Sequence, residues 1–109
     1  MIEKIRAYLG FCLRAGKILF GVDDIETHRK KIHLLLVDEG IAENSLKRLH
    51  KANQSFSAPL LMVETGLLGE LLFRPQVKAA AIKDFNLAKA ILQAAENQTQ
   101  FKFNSGGTE

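Results

Sequence analysis

The chain has one cysteine, two prolines and no apolar run of membrane-spanning length. Each shortage excludes something. A lone Cys12 can make neither an internal disulfide nor a cysteine-based zinc site, and its place on an apolar stripe reads as a small core side chain. Two prolines in 109 residues, with 47% hydrophobic and 25% charged residues, fit one packed domain and not a disordered chain. The longest apolar run, Leu34 to Val37 with its flanks, is far shorter than the ~20 residues that cross a bilayer. Met1 leads straight into a charged amphipathic segment and not into a secretory leader, so a cytoplasmic protein with no membrane partner is expected.

Catalytic and metal-binding patterns are also missing. His28, His33 and His50 are never three or four residues apart, so no helical metal pair exists. There is no G-x-S-x-G elbow, Walker loop or G-x-G-x-x-G. Gly66-x-x-Gly69 reads as a helix start with close packing. Asp38-Glu39 follows an apolar strand, where α/β enzymes often hold acids, but no partner base accompanies it, and a solvated acidic loop is expected. Hence no enzyme, cofactor or metal is expected. The formal charge of +3 and pI near 9.2 permit an anionic partner without demanding one.

What is present is an alternation of amphipathic helices and short apolar strands. Ile2, Ile5, Leu9 and Cys12 recur at helical spacing, so a helix is predicted from Ile2 to Leu13, ended by Arg14-Ala15-Gly16. Strands are predicted at Lys17 to Phe20, Ile32 to Val37, Pro59 to Val63 and Val77 to Ile82. Helices are predicted at Asp23 to Lys30, from an Asn44 or Ser45 cap to Asn53, at Gly66 to Leu72, and at Asp84 to Asn97. The pattern implies an α/β fold in a single domain, residues 1–98, followed by a polar tail, 99–109, expected to be flexible.

The words "LGFCLRAGKILFG", "IHLLLVDEGIAENSLKRL", "SAPLLMV" and "LLGELLFRPQVKAAAIKD", in that order and spacing, resemble one family. It is the ribosomal L-seven-Ae and L-thirty-e superfamily of kink-turn RNA-binding proteins, with the nearest likeness to its bacterial YlxQ-like members. The resemblance spans about residues 2 to 95 and implies a three-layer α-β-α sandwich around a four-stranded mixed sheet. It further implies non-enzymatic binding of structured RNA, ribosomal or another bulged duplex, by a monomer. A minority of relatives are protein-interaction modules, so a ribosomal or other protein partner is the alternative.

In that family the RNA-reading turn follows the first strand: a glycine, a variable residue, Asn-Glu, then a lysine three residues on. Here these positions are Gly21, Val22, Asp23, Asp24 and Thr27. Asp24 can accept from the open edge of a guanine as a glutamate would. Ionised Asp23 only accepts, so it would repel the guanine O6 that an asparagine donates to, and Thr27 removes a cation. A second reading needs no RNA. Asp23-x-x-Glu26 resembles a capping box, and Arg29 to Lys31 suit the helix's negative end. The family's second contact is the loop after the third strand, where Glu64, Thr65 and Leu67 stand, Leu67 being equally a helix-start core residue. Arg14 and Lys17 are read as flanking the same end of the sheet, within reach of phosphates. Lys47, Arg48 and Lys51 are read as a solvated helix face.

Overall fold

The computed structural model describes residues 2–104. The first helix, α1 (Ile2–Ala15), buries Ile5, Leu9 and Cys12. It stops where Gly16 turns left-handed, at φ 66°. The Gly16 N–H then donates to Leu13 O (3.3 Å) and the Lys17 N–H to Cys12 O (2.9 Å), the paired bonds of a Schellman end. Strand β1 (Ile18–Phe20) leads through Gly21 into α2 (Val22–Thr27). Then follow β2 (Leu34–Asp38), α3 (Glu43–Phe56), β3 (Leu60–Val63), α4 (Leu67–Leu72), β4 (Ala79–Ile82), α5 (Phe85–Ala95) and β5 (Phe101–Asn104).

The sheet is mixed, in the order β1-β4-β2-β3-β5. Strands β2 and β3 are parallel, and β4 and β5 run against their neighbours. Since β1 and β2 are both antiparallel to β4, the strands β1, β2 and β3 all finish at one end, called here the carboxyl end.

Side chains alternate across a strand, and the two faces hold separate cores. Leu34, Leu36, Leu61, Val63, Ala80 and Ile82 pack against α1, α4 and α5. Leu35, Val37, Leu60, Ala79 and Ala81 pack against α2 and α3. Helices therefore lie on both faces, as the α/β reading expected.

The sheet has five strands and not four. Phe101–Asn104, in the tail expected to be flexible, pairs antiparallel with β3. Phe101 is buried in the core, while Lys102 and Phe103 are exposed. Residues 105–109 of that tail lie outside the described residues.

Two helices differ from expectation. Helix α3 begins at Glu43 behind Ala42, which makes no side-chain cap bond, so neither Asn44 nor Ser45 caps it. It continues past Asn53 to Phe56 because the Asn53 amide clamps the left-handed turn at Ser57. Its Oδ1 accepts from Ala58 N–H (3.0 Å) and its Nδ2 donates to Ala58 O (2.8 Å). Helix α2 ends at Thr27 and not Lys30, because His28 is already extended, at φ −70° and ψ 135°. Asp84, by contrast, caps α5 and accepts from Leu87 N–H at 2.8 Å.

Candidate functional site

Four connections meet at the carboxyl end of the sheet: Gly21 after β1, Asp38–Ala42 after β2, Glu64–Gly66 after β3, and the segment before β4. The Gly21 N–H donates to Ala79 O (2.9 Å), tying the first connection to the fourth. The Asp38 side chain ties the second to the third. It is fully buried, and its two oxygens accept from Gly40 N–H and Gly66 N–H, each at 2.7 Å. Lys78 Nζ lies 3.7 Å away. The expected solvated acidic pair is thus half wrong: Glu39 is exposed, but Asp38 is an internal anchor. A buried carboxylate survives only with such partners.

Gly40 stands close over that carboxylate. A Cβ there would lie 2.9 Å from Asp38 Oδ2 and 3.3 Å from Thr65 Cγ2. A Cβ at Gly69 would meet Arg74 O at 2.8 Å and the Pro75 Cα at 2.9 Å, so Gly69 lets the segment before β4 fold against α4. The close-packing reading of Gly66-x-x-Gly69 thus agrees with the structure.

The turn itself answers differently from the capping-box reading. The residue preceding α2 is Gly21, at φ 87°, with no side-chain cap bond. Asp23 sits inside the helix, and its carboxylate turns to Arg48 of α3. The same guanidinium donates to Glu26, at 2.9 Å from Nε and 2.6 Å from Nη2. Arg48 holds the Glu26 carboxyl below its usual range, chiefly through that hydrogen bond. The face expected to be merely solvated thus carries a clamp between α2 and α3. Asp24 is exposed and, among the described residues, has no hydrogen-bond or ion-pair partner. The Thr27 hydroxyl donates back to Asp23 O (3.1 Å) and Asp24 O (3.3 Å) within its own helix.

Between the turn and the loops lies a cleft of about 370 Å³. Phe20, Val22, Ile41, Val77 and Ala79 supply its apolar walls, and Gln76 and Lys78 its polar side. A neighbouring hollow over Gly21 and Val22 reaches Asp23, Asp24 and Arg48. Glu64 and Thr65 are exposed, and Leu67 is half-buried against the core, as its helix-start reading expected. The Arg74 guanidinium covers the Phe20 ring at 4.5 Å, a cation held at this end that sequence reasoning missed.

Arg14 and Lys17 are not there. Lys17 precedes β1 and Gly21 follows it, so the strand separates them. Arg14, in the last turn of α1, stacks on Phe11 at 5.0 Å. The expectation that both flank the turn is overturned by strand direction, because α1 delivers the chain to the starting end of β1.

No family model matches the chain, and no curated protein matches it. A solved structure, described as a protein with unknown function from Bacillus halodurans C, superposes with a TM-score of 0.75 at 18% identity. The match covers 86% of this chain and 98% of that one. That likeness establishes a shared fold.

Neither Asp38 nor Arg74 carried a motif. Asp38 was legible only as an acid ending an apolar strand, and Arg74 only as a cation before a proline. Among the described residues no group of three or more His, Cys, Asp or Glu side chains is placed to hold a metal, and no helix is long and apolar enough to cross a membrane.

Proposed function

We propose that this chain binds structured RNA, a kink-turn or a similar bulged duplex, at the carboxyl end of its sheet, without catalysis and in association with translation. The supporting observation is the placement of the Gly21–Thr27 turn and the Glu64–Leu67 loop at one end of the sheet, with an apolar cleft beside the turn and Asp24 exposed in the neighbouring hollow. An extruded base needs an apolar wall, and a guanine edge needs an acceptor. Asp38 holds the connections after β2 and β3 in one arrangement, so that side of the surface is preorganised. Arg48 answers the difficulty posed by Asp23: its charge is engaged before any guanine arrives. Arg74 and Lys78 are the cations available for phosphates. The YlxQ-like resemblance belongs to the same proposal.

The apolar lining of the cleft, with Thr27 in place of a lysine, favours a second reading: a protein-interaction module on the same fold. A titration of the wild type and of Asp23→Asn/Thr27→Lys against a standard kink-turn RNA, at two salt concentrations, separates them. RNA reading requires wild-type binding that weakens steeply with salt. Asp24→Ala should then cost about 1–3 kcal/mol. Binding by the double variant alone favours the protein module.

A further inference from the structure

The opposite end of the sheet gathers the cations that the turn lacks. Lys17 precedes β1, Lys83 follows β4, and the Lys83 N–H donates to Lys17 O at 2.8 Å, so the two are backbone neighbours. Lys30 and Lys31 arrive from the connection between α2 and β2. All four line one cleft of about 240 Å³ with Gly16 and His28. No acid lines it. The nearest in sequence, Asp84, is engaged in capping α5.

The cluster makes no ion pair, although Asp24 lines a neighbouring hollow together with Lys30 and Lys83. Among the described residues the ion pairs use Arg6, Arg48 and Lys78, and none uses these four lysines. Lys31 Nζ is steadied by Phe56 O at 3.1 Å, a neutral acceptor that leaves its charge in place. Like charges gathered around so small a space repel one another, and an anion entering the cleft relieves that. His28 adds an independent sign. Its Nε2 is buried with no hydrogen-bond partner among the described residues. Buried polar atoms are normally satisfied, and the imidazole would have to turn toward the cleft for its Nε2–H to donate to a phosphate oxygen. Two residues after Lys83, Phe85 is 59% exposed and edge-on to His33, with ring centroids 5.6 Å apart. Cations around a groove with an exposed ring beside them are the elements of single-strand nucleic-acid binding: phosphates to the lysines, a base on the ring.

We propose that the Lys17–Lys30–Lys31–Lys83 cleft binds the phosphodiester backbone of a single-stranded nucleic-acid segment, with Phe85 stacking on a base. The site does not depend on the kink-turn reading, because it lies at the other end of β1. A short fluorescent oligouridylate, which cannot form a kink-turn, is the probe. It is titrated at several salt concentrations into the wild type and into Lys17→Gln/Lys30→Gln/Lys31→Gln/Lys83→Gln. The quadruple variant should weaken binding at least about tenfold and flatten the log–log salt slope by about 2–3. Phe85→Ala should weaken it about tenfold. The matching four-fold Lys→Arg variant should bind like the wild type, which separates charge from damage to the fold. Wild-type affinity in the quadruple Gln variant overturns the proposal. An NMR titration with inorganic phosphate tests the other source of the same chemistry. If phosphate alone perturbs these residues and the oligouridylate binds no tighter than phosphate, the cleft takes a free anion and the proposal fails.

Discussion

The two ends of this sheet lie only a three-residue strand apart, yet they treat charge in opposite ways. At the carboxyl end several charges are matched before any partner arrives, Asp38 by two backbone amides and Lys78, Asp23 and Glu26 by Arg48, while Asp24 stays open. At the amino end, where β1 and β2 begin and β4 finishes, four lysines share a cleft without an acid. The first arrangement fixes shape. The second stores unsatisfied attraction. A net charge of +3 spread evenly would be weak evidence for an anionic partner, but segregated charge points to particular surfaces.

The sharpest way to break the contrast is to remove its anchor. Asp38→Ala leaves the Gly40 and Gly66 N–H groups without their acceptor, and urea unfolding should show a loss of about 2 kcal/mol. A loss below about 1 kcal/mol would mean that the loops hold themselves together. Gly69→Ala comes next. The added methyl meets backbone, and a cost of about 2 kcal/mol is expected in the same assay.

The amino end also holds a buried thiol whose protonation bears on stability. Cys12, near the amino end, is pushed from 9.0 to about 11, first by burial and then by Asp84. The folded state thus holds the thiol proton more tightly than the unfolded chain does. This stabilisation is complete below pH 9 and lost as pH rises through about 11. Urea midpoints across that range should fall. A thiol reagent at neutral pH should label the chain only after denaturation.

The smallest expected effects are on stability at the surface. Lys83→Gln should raise the unfolding free energy slightly, by about 0.5 kcal/mol or less, by relieving repulsion. Removing Arg48 by Arg48→Met should leave the unfolding midpoint nearly unchanged, because the pair is exposed. The Glu26 carboxyl, held low by Arg48, contributes above its usual 4.5 and stops contributing as pH falls through its folded value. NMR titration of Glu26 in the variant should therefore return it to the ordinary range.

How far these ends could be read from sequence follows from the range of each interaction. Apolar spacing gave the helices and the inner strands, because burial of Leu34–Val37 or Ile5, Leu9 and Cys12 leaves a periodic trace. Gly16 acted through neighbours within five residues and was foreseen, while Asp84 was read as a helix start and not as the cap that it is. Asp23 was misread because its partner is 25 residues away on α3, while a local capping partner lay in view. Asp38 reaches 28 residues to Gly66, and no window along the chain reveals that. Lys17 was assigned to the wrong end because a three-residue strand reverses nothing and only its direction matters. Strand β5 did leave a trace, the Phe-Lys-Phe alternation, but it lay within a polar segment.

That last strand bears on how the molecule is made. The outer edge of β3 finds its hydrogen-bonding partner only in residues 101–104. A ribosome delivering the chain in order supplies every element through α5 before that edge is covered and Phe101 joins the core. Until then a newly made copy exposes an apolar strand with free backbone groups, a template on which another incomplete copy can pair. Chains cut just after α5 should be prone to the same pairing, and their solubility during synthesis, more than their final stability, is where the loss of those four residues should first be felt.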